Sequence, residues 1–275
     1  MLQLKLKDVP PVPLEAELIS PDMLARMSLD EVRAVPLQLG KHRRRLDEFF
    51  EVGGQPGPEL QLFGDLSRVK WLGRSMSHGR IEIHGNAGMH LGARMKGGEI
   101  EVFGNAGDWL GAEMLQGTIR VHGDAGGQVG AAYRGSLTGM KNGAIIIDGS
   151  AGLEIGMRMR RGLIVVGKRV KDFAGLQMKG GTILLRAGAD IRAGAWMVRG
   201  TIISLAPLPV LPTFAASCSH NPLFLRLLAR QLAAWGIALP SLDHQGIYDC
   251  YSGDSAVPGK GELLIWRAAD RSTIQ

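Results

Sequence analysis

Apolar and polar positions alternate over short runs that return every nineteen residues. Ile81-Glu82-Ile83 is followed by Ile100-Glu101-Val102 and Ile119-Arg120-Val121. Past one interruption come Ile145-Ile146-Ile147, Ile164-Val165-Val166, Ile183-Leu184-Leu185 and Ile202-Ile203. Such runs, rich in β-branched residues, predict strands at about 80–84, 99–103, 118–122, 144–148, 163–167, 182–186 and 201–205. Between them glycines recur as Gly-x-x-Gly-x-x-x-Gly, at Gly85/Gly88/Gly92, Gly104/Gly107/Gly111, Gly123/Gly126/Gly130 and Gly149/Gly152/Gly156. A further glycine column reads Gly79, Gly98, Gly117, Gly143, Gly162, Gly181 and Gly200.

Nineteen residues leave no room for a strand, a proper helix and their loops, and the leucine frame of a leucine-rich repeat is missing. A fixed period of this size is the mark of stacked repeats. The expected fold is therefore an all-β solenoid. It would be a right-handed parallel β-helix of about seven 19-residue coils, with small helical N- and C-terminal extensions. Residues 1–58 form the lead-in, 59–205 the repeats and 206–275 the C-terminal extension.

Stacking would set equivalent residues above one another. One inward column is Ile81, Ile100, Ile119, Ile145, Ile164, Ile183 and Ile202, and its partner is Ile83, Val102, Val121, Ile147, Val166 and Leu185. A third is Met76, Met95, Met114, Met140, Met159, Met178 and Met197. Thioethers are soft ligands, but no Cys or His accompanies this ladder, so it reads as adaptable core filler. The outward strand position changes character: Glu82, Glu101 and Arg120 give way to Ile146, Val165, Leu184 and Ile203. Bare, that apolar stripe would be an aggregation liability. Either a helix of this chain or a partner subunit must cover it.

The flanks carry local signals. Ser28-Leu29-Asp30-Glu31 has the capping-box form, and its helix must stop before Pro36. Lys41 to Arg45 is either an anion grip or a solvated strand end or turn. Gly53 to Pro58 makes a loop into the first coil. Seven residues, Ala131–Leu137, interrupt the period and should leave the stack as a protruding loop. Its Tyr133 and Arg134 are interface-type residues or surface decoration. Pro207, Pro209 and Pro212 end the repeats. Asn221-Pro222 reads as N-cap and first residue of a helix whose apolar stripe is Phe224, Leu227, Leu228, Leu232 and Trp235, with Arg226 and Arg230 opposite and Gly236 closing it. Glu262–Trp266 reads as a final strand.

Composition narrows the function. The 275 residues carry a formal charge of +6, and only 5% are aromatic, which argues against base-stacking nucleic-acid binding. Cys218 and Cys250 have neither metal-site spacing nor the look of a disulfide framework. No apolar run approaches a membrane span and no secretory leader is visible, so a soluble cytoplasmic chain is expected, with no membrane partner and no nucleic acid. No catalytic set can be assembled, and no metal ligands pair up among the seven histidines. His84 and His122, with Phe103 between them, read as solvent-facing strand ends. Glu82 and Glu101 stack without a third acid, a poor acid/base pair.

One charged feature stands out. No acid occurs between Ile155 and Lys171, while Arg158, Arg160, Arg161, Lys168, Arg169 and Lys171 do. The position after the methionine ladder gathers Lys141, Arg160 and Lys179 into one line. Lys141, Arg158, Arg160, Arg161 and Lys179 are the candidate binding residues for an anionic tail or an acidic partner face; a plain solvated face is the alternative.

Gly-Asn-Ala-Gly at Gly85–Gly88 and Gly104–Gly107, the segment Leu46–Val52, and Gly139-Met140-Lys141-Asn142-Gly143 resemble the third subunit of formylmethanofuran dehydrogenase, over about residues 37–205. A similar repeat forms the C-terminal domain of the glutamate synthase large subunit. A free-standing chain with both extensions is more similar to the dehydrogenase subunit, and most of all to its bacterial counterpart, the third subunit of the formyltransferase/hydrolase complex of methylotrophs. The resemblance implies a non-catalytic scaffold in a complex that moves a formyl group from tetrahydromethanopterin to a methanofuran-type carrier and releases formate. Its implied partners are amidohydrolase-like and formyltransferase-like sister subunits, and the implied ligand is the carrier's tail of linked glutamates. The alternatives are the corresponding subunit of an archaeal formylmethanofuran dehydrogenase, a glutamate-synthase-like β-helix module, or a β-helical lyase or hydrolase.

Overall fold

The computed structural model describes residues 1–240 and 246–269. The chain opens with β1 (Leu2–Leu6), β2 (Leu14–Glu15) and two short helices, α1 (Pro21–Leu24) and α2 (Leu29–Arg33). A hairpin of β3 (Pro36–Leu39) and β4 (His42–Arg45) follows, then the turn α3 (Leu46–Phe49), β5 (Phe50–Gly54), β6 (Glu59–Phe63) and β7 (Val69–Lys70). The repeats supply β8 (Arg80–His84), β9 (Lys96–Val102), β10 (Gln116–Val121), β11 (Ala144–Ile147), β12 (Leu163–Val166), β13 (Lys179–Leu185) and β14 (Arg199–Ser204). β15 (Ala215–His220), α4 (Phe224–Ala233), β16 (Gly246–Gly253) and β17 (Lys260–Ala268) complete the described chain.

The expected all-β solenoid, a right-handed parallel β-helix of about seven coils, is not the architecture found. Among the described residues, thirteen strands form one mixed sheet in the order β15-β16-β17-β14-β13-β12-β11-β10-β9-β8-β6-β1-β5, with β4-β3-β2-β7 as a second sheet. The large sheet is parallel from β1 to β17 and antiparallel at both ends, where β5 pairs with β1 and where β16 and β15 follow β17. The reason is local. Each repeat contributes one extended strand, and the rest of it is turns. The other repeat-to-repeat pairing is a row of isolated single-residue bridges, Leu66–Ala87–Ala106–Ala125–Ala151–Val170–Ala189. Strands from outside the repeats then close both ends.

The nineteen-residue register is nonetheless kept. Ile81, Ile100, Ile119, Ile145, Ile164, Ile183 and Ile202 pair successively, and all are buried. The row extends beyond the repeats, to Leu60 and Leu2 on one side and Leu263 on the other. The methionine ladder is wholly buried too. Two glycine columns make room for these rows. At Gly92 (φ +62°) an added Cβ would lie 2.6 Å from Ile119 Cδ1, and at Gly98 (φ +79°) it would lie 2.6 Å from the Met76 methyl. The left-handed backbone and the close approach both require glycine there. A further row of residues adopts positive φ without being glycine: Trp71, His90, Trp109, Gln128, Glu154, Phe173 and Arg192.

Several local expectations are met. Ser28 and Glu31 form the capping box of α2, which ends before Pro36. The outward stripe Ile146, Val165, Leu184 and Ile203 is buried, and it packs in one cluster with Leu225, Leu232, Ile237, Tyr248 and Leu264. Helix α4 thus covers it, and β17 and β16 extend the sheet beside it.

Others need correction. Leu225 and Leu232 are the buried residues of α4, whereas Phe224 and Leu227 of the expected stripe are exposed. Asn221 does not cap the helix: Leu223 holds that position, while the Asn221 amide donates to the Gly246 carbonyl oxygen (3.2 Å). The 131–137 insertion does not simply protrude. Ala131 and Ala132 are buried, and Tyr133 folds back onto the molecule.

Candidate functional site

Lys141, Arg160, Arg161, Lys179 and Arg199 line one open groove of about 730 Å³, with Gly180 and Gly200 in its floor. The repeat builds it. Lys141 N–H donates to the Met114 carbonyl (2.7 Å), Arg160 N–H to Met140 (2.8 Å) and Lys179 N–H to Met159 (2.7 Å), so each cation enters at an equivalent point one strand further along. Strand spacing then sets neighbours about 4.8 Å apart. No carboxylate lines the groove. Among the described residues, no ion pair involves any of its five cations. Two like charges at this spacing repel by roughly 1 kcal/mol even in bulk water, and a polyanion would reverse that sign.

Four of the five sequence candidates, Lys141, Arg160, Arg161 and Lys179, meet here. Arg158 does not line the groove: its guanidinium donates to the Ser136 carbonyl (2.5 Å) and to Gln177 Oε1 (2.7 Å). Lys179 Nζ reaches the Leu137 carbonyl (2.9 Å). Two cations thereby hold the insertion beside the groove. Arg199 was not among the candidates. The signal for it lay two residues after the methionine ladder, where Arg161 and Arg199 hold equivalent positions.

The acidic end of the outward column is a paired network. Arg80 donates to Glu101 (2.6 Å), and His122 sits between Glu101 and Asp148, 2.9 Å from each. Arg120, next in that column, reaches Asp148 (3.2 Å) and donates to the Trp235 carbonyl (3.1 Å) just beyond α4. His84 and His122 are not bare strand ends: with Phe63 and Phe103 they form a stacked row at 4.7–5.2 Å. The Lys41–Arg45 cluster lies largely on exposed β4, with Arg44 paired to Glu48 and Arg45 to Asp47.

Residues 65–207 match the family model described as the GXGXG motif. The third, C-lettered member of the formyltransferase/hydrolase complex (Fhc) of Methylorubrum extorquens is 42% identical over 256 residues, 92% of this chain and 96% of that protein. This chain belongs to the family of that protein and of the third subunit of formylmethanofuran dehydrogenase. The corresponding subunit of the molybdenum-containing formylmethanofuran dehydrogenase 1 of Methanothermobacter thermautotrophicus is 47% identical over 83 residues. That match spans 30% of this chain and 21% of the dehydrogenase subunit, so this chain covers about a fifth of that relative's length in the match. The family fold is shared at full length with a chain of the crystal structure of the M. extorquens complex with methylofuran. The TM-score is 0.89 at 33% identity, covering 96% of this chain and 98% of that one. No helix of the described residues is long and apolar enough to cross a membrane.

Proposed function

We propose that this chain serves in methanofuran-dependent one-carbon metabolism as a non-catalytic scaffold subunit of a formyltransferase/hydrolase complex. In this reading the complex takes a formyl group from tetrahydromethanopterin to a methanofuran-type carrier and releases formate. The chemistry belongs to amidohydrolase-like and formyltransferase-like sister subunits. The observation that carries the proposal is likeness over nearly the whole of both chains, extensions included, to a member of such a complex. The groove supports a contact role: Lys141, Arg160 and Lys179 lie in one line, and the described residues leave them without carboxylate partners. A carrier tail of linked glutamates or an acidic face of a sister subunit would satisfy them, because carboxylates spaced along a chain can meet cations spaced along a strand stack. The test is affinity purification of the tagged chain from its native host, followed by assay. Sister subunits of the named kinds should co-purify in fixed stoichiometry, and the assembly should release formate from the formylated carrier while the isolated chain releases none. A chain that migrates alone and turns over formylated carrier by itself would overturn the proposal.

A further inference from the structure

Cys218, His220 and Cys250 lie 32 positions apart at the extremes, and no sequence spacing links them. The structure brings them together: their sulfur and imidazole donor atoms all lie within 4.8 Å of one another. A register shift makes the cluster. β15 and β16 pair Ala216 with Tyr251, but the next pair is Cys218 with Cys250, leaving Ser217 as the extra residue. Without that shift Cys218 would oppose Asp249, and its side chain would point to the other face of the sheet. With it, Cys218 and His220, two apart on one strand, share the face of Cys250. His220 Nδ1 lies 3.3 Å from Cys218 Sγ and 3.4 Å from Cys250 Sγ.

Those distances match tetrahedral coordination. Bonds of about 2.3 Å to sulfur and about 2.0 Å to nitrogen place a sulfur and a nitrogen ligand about 3.5 Å apart. One imidazole lone pair accepts from only one of the two thiols, and the Cys250 thiol otherwise has the Tyr248 carbonyl at 3.6 Å and the Cys218 sulfur as partners.

We propose that Cys218, His220 and Cys250 form a binding site for a borderline-soft divalent metal, zinc being the fitting ion. Two thiolates and an imidazole are ligands that hard cations do not prefer. Binding releases one proton from each thiol, giving a neutral Zn(thiolate)₂(imidazole) centre whose fourth position is taken by water on the exposed side, where Cys218 and His220 lie. The metal would pin β15, which is solvent-exposed along its whole length at the sheet edge, to β16, which packs beneath α4. It would thereby brace the cover over the apolar stripe.

The full chain, purified under reductant, should take up one equivalent of Co²⁺ with a thiolate-to-cobalt charge-transfer band and tetrahedral ligand-field bands. Stoichiometric Zn²⁺ should abolish both signals. C218S/C250S should lack the charge-transfer band while keeping its circular dichroism, and H220Q should shift the ligand-field bands. Chelation should lower the melting temperature of the wild-type chain and not that of the double variant. Fully reduced wild-type chain that shows no charge-transfer band, or a Cys218–Cys250 disulfide that re-forms in the presence of excess Zn²⁺, would overturn the site.

Discussion

His90 sits in a ring cluster, 4.0 Å from Trp71 and 6.3 Å from Trp109, with its Nδ1 3.0 Å from the Tyr133 hydroxyl. Burial first, and the Lys70 charge second, push its pKa down to about 4 from the ordinary 6.5. Between those values the unfolded chain binds a proton that the folded chain refuses. The resulting stability is fully present above about pH 6.5 and is lost as the pH falls towards 4. The melting temperature of the wild-type chain should therefore drop more steeply than that of His90→Gln from pH 7 to pH 4. Parallel curves would show that His90 contributes nothing to the acid response. The same cluster explains why the insertion is not a free loop: Tyr133 stacks on Trp109 at 4.9 Å, and Arg94 lies 5.7 Å from its ring.

At the scale of elements, the coupling between α4 and the sheet is the decisive contact. Leu232 is fully buried against the stripe of Ile146, Val165, Leu184 and Ile203. Leu232→Ala should cost about 2–5 kcal/mol, the range for emptying a well-packed leucine site, read as a lowered denaturation midpoint. Exposed Leu227→Ala should change it by less than about 0.5 kcal/mol. Ending the chain at Leu205 removes α4, β16 and β17 together. That chain should bind hydrophobic dye or aggregate; a monomeric, well-behaved product would mean that the stripe needs no cover.

At the scale of the molecule, charge is segregated along the stack. The early repeats pair their charges, as in Arg80–Glu101 and Arg94–Glu113, whereas the groove formed by the later repeats collects cations with no acid lining it. Reversing Arg160 and Lys179 together to glutamate should weaken assembly or carrier retention, and the loss should shrink as salt rises, because attraction of this kind is screened within about 10 Å at 0.1 M. Unchanged assembly and carrier content at low salt would leave the groove as a solvated face. The fold should survive this change, since Arg160 precedes β12, Lys179 opens β13, and neither belongs to the core.

The sequence by itself determined whatever depends on period: strand positions, the isoleucine and methionine rows, the glycine columns, and the basic line through Lys141, Arg160 and Lys179. Stacking makes residues nineteen apart into neighbours, so a linear pattern becomes a spatial one without further information. It also announced that an apolar stripe needed a cover. Only the tertiary structure decided what lies outside the period. Leu2 and Leu60 continue the isoleucine row at one end and Leu263 at the other, and antiparallel strands close the sheet, because aperiodic strands leave their partners unspecified. The face by which α4 docks depends on helix phase, which a leucine-rich segment apolar on several sides does not fix. The meeting of Cys218 and His220 with Cys250 depends on one extra residue in β15, and a register shift is a property of two strands paired, which neither strand encodes alone.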